Sequence, residues 1–114
     1  MGSTIFSKII NREIPAEIVY ETESILAFRD VAPKAPVHVL IIPKKEIPTV
    51  NDLEQIDDEV MGSILRAAAA IAKQEGIHES GYRVVFNCNG DAGQTVFHVH
   101  AHLLGGRELQ WPPG

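Results

Sequence analysis

From Phe97 to Leu103 the chain alternates side-chain character at every position: Phe97, Val99, Ala101 and Leu103 are apolar, while His98, His100 and His102 stand between them. Period two is the signature of a β-strand with one face turned to a core. The pattern predicts a strand over Val96–Leu104, with the four apolar side chains buried and three imidazoles in a row on the opposite face. Three of the five histidines in the chain fall in this stretch, so the row is a candidate for chemistry.

The remaining elements follow from periodicity and punctuation. Ile5–Ile10 reads as a short helix that ends before Pro15. Ile18–Glu21 and Ile25–Arg29 read as strands joined by a turn at Thr22–Ser24, and Val37–Ile42 as a third strand of β-branched residues and leucine interrupted only by His38. A long helix is predicted from Asp57 to Glu75. Its apolar stripe is Val60, Met61, Ile64, Leu65, Ala68, Ile71 and Ala72, acidic residues occupy its first turn, and Gly76 ends it; Ala67–Ala70 provides a close-packing surface. Tyr82–Asn87 is a further strand, joined to the histidine strand by a glycine-bearing loop. Adjacent strands with one long helix make an α+β fold with an antiparallel sheet.

With 114 residues, no repeat and no low-complexity linker, the chain is expected to form a single domain over residues 1–114. An apolar content of 45% with 22% charged residues is that of a soluble globule. A single cysteine, Cys88, cannot make an intrachain disulfide, which fits a reducing compartment. No apolar run approaches a membrane span, and residues 1–14 lack the basic-then-apolar order of a signal peptide, so a cytoplasmic location is expected. A net charge of −5 argues against general binding to nucleic acid, though not against a small nucleotide held by backbone amides.

Clustered histidines first suggest metal. Same-face neighbours on a strand are roughly 6.6–6.8 Å apart, which separates His98 from His102 by about 13 Å, too far to share an ion through Zn–N bonds of about 2.0–2.1 Å. Cys88 and His78 complete no familiar ligand spacing, so no metal is expected, and His78 reads as a solvated surface histidine. A row of imidazoles suits phosphoryl chemistry instead, since neutral histidine is nucleophilic near neutral pH and its neighbours can donate to phosphate oxygens. The plainer alternative is a solvated polar face. The preceding loop, Asn87-Cys88-Asn89-Gly90-Asp91-Ala92-Gly93-Gln94-Thr95, reads either as a simple hairpin connection or as a phosphate cradle in which Gly90 and Gly93 let backbone N–H groups approach an anion.

The segment HVHAHLL resembles the histidine triad pattern, His-φ-His-φ-His-φ-φ with φ apolar. From IFSKIINREIPAEIVYE through LAFRDVAPKAPVHVLIIPKK to GGRELQWPPG, the chain is similar to the Hint branch of that superfamily, the histidine triad nucleotide-binding proteins. The resemblance implies five antiparallel strands with helices packed on one side. It further implies a purine nucleoside phosphoramidase that needs no cofactor. His100 would attack the α-phosphorus of a purine nucleoside 5′-phosphoramidate or acyl-nucleotide, and water would release the nucleoside monophosphate. His102 would contact the phosphate and assist the leaving group, His98 would position the central ring, and His38 would be a fourth pocket histidine; read alone, His38 is an ordinary buried strand residue.

Thr95 stands where members of the family commonly carry serine and keeps the hydroxyl donor. Asn87, Gly93 and Thr95 would hold phosphate oxygens. Asp30, in FRDVAP, would accept from the ribose hydroxyls, or else simply stabilise the turn before Pro33. Phe6, Ile9, Ile14, Phe28, Val31 and Leu40 would line the base side, though all are equally readable as core. Arg29 stands where some relatives carry histidine, at the rim of that pocket. The tail from Gly105 to Gly114 is too rich in Gly and Pro to continue a strand, yet holds the only tryptophan, Trp111. The resemblance implies a homodimer in which each tail reaches the partner's site; the alternative is a tail folded on its own protomer. Two competing functions remain: a dinucleoside polyphosphate hydrolase as in the neighbouring Fhit branch, against which the WPPG ending speaks, and a regulatory or scaffold nucleotide binder with incidental hydrolysis.

Overall fold

Five strands form one antiparallel sheet in the order β1-β2-β3-β5-β4, comprising β1 (Ile18–Glu21), β2 (Ile25–Arg29), β3 (Val37–Pro43), β4 (Tyr82–Phe86) and β5 (Ala101–Gly105). The computed structural model describes residues 4–114. The helices are α1 (Ile5–Ile10), α2 (Asp58–Gln74) and a four-residue α3 (Asn89–Ala92) within the glycine loop. Short 3-10 turns at Val50–Asp52 and Gln55–Asp57 lead into α2. This is the α+β architecture expected, with the long and the short helix where periodicity put them.

β3 is the hub of the sheet. Its run of branched residues is buried along its whole length, between β2 on one side and β5 on the other. The alternation of the strands sorts side chains onto two faces. Ile25, Ala27, Val37, Val39, Ile41, Ala101 and Leu103 face α2 and pack with Ile64, Ala67, Ala68, Ile71 and Ala72. Leu26, Phe28, Leu40 and Ile42 face the other way and pack with Phe6 and Ile9 of α1. The helices therefore lie on both faces, not on one. The short apolar pair Phe6/Ile9 covers only part of the second face, and that part is where the histidines lie.

Within α2, Val60 and Met61 only flank the core, and Leu65 is 56% exposed, away from the sheet. Ala67 takes the buried place that the periodic stripe gave to Leu65, because the alanine run lets the helix approach β3 closely along the Ile64–Ala68–Ile71 line. Gly76, at φ +75°, ends the helix in the left-handed region, as its position suggested.

The expected strand over Val96–Leu104 is shorter than predicted: ladder pairing begins only at Ala101, opposite Ile41 on β3 and Phe86 on β4. Before that point β4 has already ended. Beyond Ile41, Ile42 and Pro43 pair with β2 instead, while the Pro43 carbonyl accepts from the His98 ring. Val99 N–H donates to Ile47 O at 2.6 Å, so residues 96–100 hang on side-chain and loop bonds in place of a ladder. Val99, Ala101 and Leu103 are buried as the alternation requires, but Phe97 is 45% exposed and does not join the core. Gly105, expected to begin an irregular tail, is instead the last residue of β5, pairing with Val37 and Tyr82.

Candidate active site

A cleft of about 270 Å³ opens on the face of the sheet that α1 leaves uncovered. One end is apolar: Phe6, Ile9, Ile14, Phe28, Val31 and Leu40 all line it, together with Ile5, Pro15 and Ala16, which sequence reasoning had not singled out. The other end carries His100, His102, Thr95 and Asp30. Val31 is fully exposed at the lip, and Thr95 is exposed above the histidines.

The histidines reach this cleft from different backbone contexts. Sheet register sets His102 on β5 directly beside Leu40 of β3, and diagonal to His38 two residues away on the same face. The His38 and His102 rings meet through Nε2 and Nδ1 at 2.9 Å. His100 precedes the strand and is 8% exposed, its ring edge-on to Phe6 with centroids 4.9 Å apart and 5.0 Å from the His102 ring. His98 is fully buried beneath it, also against Phe6. The row is thus graded in depth from His98 to the half-buried His102.

Hydrogen-bond partners determine which nitrogens carry protons. His100 Nδ1 lies 2.8 Å from the His98 carbonyl, which can only accept; Nδ1–H donates, and the lone pair of Nε2 is left bare. His98 Nε2–H likewise donates to Pro43 O at 2.7 Å, and its Nδ1 is buried with no hydrogen-bond partner among the described residues. His38 Nδ1 accepts from the Lys34 N–H at 3.0 Å, so His38 carries its proton on Nε2 and donates it to His102 Nδ1. His102 must then be protonated on Nε2. The row holds a bare nitrogen on His100 beside a protonated one on His102.

Burial holds all four rings neutral. It lowers the pKa of His38, of His98 and of His100 below the ordinary histidine value, and it pushes His102 down to about 4, with the neighbouring His100 and His38 adding to the effect. A neutral His100 is a competent nucleophile at neutral pH.

Asp30 serves two groups. Its Oδ1 accepts from Ala32 N–H at 2.8 Å, the turn-stabilising bond, and its Oδ2 lies 3.4 Å from His38 Nε2. Asp30, His38 and His102 bring one ligand atom each within 4.8 Å of one another, a constellation that spacing along the chain did not suggest. The 2.9 Å contact between the two rings is that of a hydrogen bond. Two nitrogens on a tetrahedral zinc with bonds of about 2.0–2.1 Å would stand roughly 3.3 Å apart.

Other expected residues lie elsewhere. Arg29 borders the cleft, but its guanidinium turns to the helix face, where it meets Glu75 at 3.1 and 2.9 Å and Glu17 at 3.1 Å. Its place in β2 dictates this, for Arg29 shares the parity of Ile25 and Ala27. Asn87 and Gly93 belong to the loop above the histidines and do not line the cleft; Asn87 is half-buried and Gly93 is exposed at φ +86°. The loop is fastened by buried Gln94, which accepts from Asn89 N–H and donates to the carbonyls of Pro48 and Val96. A polar residue between Gly93 and Thr95 gave no local signal of that role. Trp111 is 80% exposed, with the Arg83 guanidinium 5.9 Å from its ring, and touches no part of this cleft.

Comparison with known proteins agrees with this geometry. The chain is 56% identical over 106 residues, 93% of its length and 89% of the relative's, to the purine nucleoside phosphoramidase of Escherichia coli strain K12. It is 51% identical over 113 residues, 97% of its length and 88% of the relative's, to a protein of Zea mays named 14 kDa zinc-binding protein. The crystal structure of a HIT family hydrolase from Legionella pneumophila Philadelphia 1 superposes with a TM-score of 0.95 at 55% identity, covering 96% of this chain and 98% of that one. The model of the HIT domain matches residues 11–109, and the chain belongs to the HIT domain family.

Proposed function

We propose that this protein is a hydrolase of the purine nucleoside phosphoramidase type, cleaving the P–N bond of a nucleoside 5′-phosphoramidate. One observation carries the reading: the bare Nε2 of His100 faces a cleft whose far end is apolar, with a protonated His102 nitrogen beside it. In the first step His100 Nε2 attacks the α-phosphorus. The P–N bond breaks as the leaving nitrogen takes a proton from solvent and departs as the amine, held by a hydrogen bond from His102 Nε2–H, and a nucleotidyl-histidine forms. Water then attacks the same phosphorus and gives up one proton to solvent, and the nucleoside monophosphate departs as His100 is regenerated. The fixed tautomers suit this sequence because no ring has to reorient between the two steps.

The substrate is held at three points. The purine lies between Phe28, Leu40 and Val31 on one side and Phe6, Ile9 and Ile14 on the other. Asp30 accepts from the ribose hydroxyls. Thr95 holds a phosphate oxygen from the cleft wall, which calls for a donor but no net charge. Asn87 and Gly93 stand in the loop above, where the Gly93 N–H is spent on Gly90 O at 3.0 Å and would have to be released to reach the phosphate. No step of this sequence calls for a metal or cofactor, since the nucleophile and the hydrogen-bond donor are both histidine nitrogens.

The active form is a homodimer. β4 is an outer strand with a free edge, and Trp111 is a large exposed aromatic on the tail beyond it, both suited to burial against a second copy near its cleft. Among the described residues no helix is long and apolar enough to cross a membrane. With one free cysteine the protein suits work in the cytoplasm.

The test is turnover of an AMP–amine conjugate measured beside a dinucleoside polyphosphate, with and without EDTA. Faster hydrolysis of the conjugate, insensitive to chelation, is the expected result. Preference for the dinucleotide would move the protein to that hydrolase class. Tight nucleotide binding with no hydrolysis of either would make it a binding protein.

A further inference from the structure

The C-terminal tail and the histidine row meet at Lys34, a residue whose side chain belongs to neither. Its N–H donates to His38 Nδ1 at 3.0 Å, and its carbonyl accepts from Arg107 Nη2 at 2.9 Å. Arg107 lies two residues past the end of β5, where Gly105 pairs with Val37. Between them Gly106 adopts φ +91°, and a Cβ there would come within 2.9 Å of the Pro36 side chain. The tail thus leaves the sheet pressed against the turn that carries Lys34, in a close approach that only glycine permits.

The hydrogen bond between His38 and His102 is symmetric in principle. Either ring can supply the proton, and the 2.9 Å contact survives in both polarities. The pair itself cannot choose. With the proton on His38 Nε2, His102 presents Nε2–H to the cleft. With the polarity reversed, His102 Nδ1–H donates to His38 and the cleft-facing nitrogen is bare. The Lys34 N–H breaks the tie, because it can only donate and so keeps His38 Nδ1 an acceptor. Asp30 Oδ2, at 3.4 Å from His38 Nε2, favours the same polarity, and it belongs to the same turn. Residues 31–34 of that turn are exposed, so its placement depends on what ties it down.

We propose that Arg107 is a positioning residue: by gripping the Lys34 carbonyl it holds the Lys34 N–H on His38, and through His38 it fixes the proton of His102 on the nitrogen that faces the cleft. The inference rests on the reading of His102 Nε2–H as the hydrogen-bond donor to the leaving amine. It adds that the tail governs the readiness of that donor within its own protomer.

The test is nitrogen-15 NMR of the histidine side chains in the full-length protein, which reports the protonated nitrogen of each ring, combined with steady-state kinetics on an AMP–amine conjugate. The parent protein should show His102 wholly as the Nε2–H tautomer. Arg107→Met should give a mixture of tautomers at His102. Its kcat should fall roughly three- to tenfold, the scale of one lost hydrogen bond, with KM changed by less than about twofold. Arg107→Lys, which keeps a donor, should recover part of both. Arg83→Met frees the tail at Gln110 and Trp111 without touching the Lys34 turn, and it should leave the His102 spectrum unchanged. A single Nε2–H tautomer with parental kcat in Arg107→Met would overturn the proposal, as would an Arg83→Met variant with the same mixed spectrum. If the conjugate is not hydrolysed at all while Arg107→Met still scrambles the tautomer, the clamp stands and the assignment of the substrate falls.

Discussion

The two faces of the sheet are built from the same strands and do opposite things. On the α2 face, Val39, Ile41, Ile64, Ile71 and Leu103 are sealed from water, and the helix runs across four of the five strands. On the α1 face a six-residue helix contributes two apolar side chains to the core, and much of the remaining surface is a cleft with imidazoles in its floor. Stability is concentrated on the covered face, and the uncovered one is free to hold polar groups whose orientation is set by main-chain carbonyls. The difference teaches that function here depends on incomplete packing: a longer α1 would bury the second face and close the site.

That division can be broken from either side. His100→Ala removes the bond-forming nitrogen from the open face and should lower kcat by about 10³-fold or more while leaving the fold and nucleotide binding largely intact. Single-turnover kinetics and urea unfolding on the same preparation decide it. A variant that retains most of its activity removes His100 from the nucleophile role. Ile71→Ala on the sealed face should do the converse. Ile71 is fully buried, so the substitution should cost about 2–5 kcal/mol by leaving a cavity. The activity of the molecules that remain folded should be unchanged. Were Ile71→Ala to change kcat in proportion to its loss of stability, the two faces would be coupled and the division false.

How much of this was readable beforehand also differs between the faces. β1, β2 and the start of β3 follow from runs of branched residues bounded by Pro and polar turns, and α2 from its apolar stripe and the terminating Gly76, since these depend on local composition. The start of β5 was not readable, because the pairing is cut short for a reason remote in sequence: Pro43 gives its carbonyl to the His98 ring, and Val99 bonds to Ile47. On the open face the residue types at the cleft were legible, including Asp30 and the six apolar positions at its far end. What escaped was everything done by main chain or by direction. Lys34 acts through its N–H and C=O, which no side-chain pattern reports; Arg29 points to Glu75 because of strand parity, although it stands at the rim. Gln94 looks like any loop glutamine until its three partners are in view.

The smallest expected effect concerns the protons that the open face excludes. His38, His98, His100 and His102 all have folded-state pKa values below the ordinary 6.5, each chiefly through burial, with His102 at about 4. The unfolded chain therefore binds more protons than the folded one once the pH drops below the ordinary histidine range, and stability must fall with it. The contribution is complete above about pH 6.5 and is lost progressively as the pH descends toward 4. It amounts to at most about 1.4 kcal/mol per pH unit for each ring, and to less wherever water partly screens it. Carboxylates held low by their partners, Glu21 beside Lys44 and Asp57 beside Lys45, lose their stabilisation only at lower pH, so the two sets separate. Urea midpoints from pH 7.5 to 5 should decline with the same slope in the parent and in Ile71→Ala, and with a shallower slope in His102→Gln. Because the nucleophile is also held neutral, kcat/KM should stay level into the region below pH 6.5 where a free histidine would already be protonated. A stability that is flat between pH 7 and 5 would mean that water reaches these rings, and that the open face is no more selective about protons than the surface around it.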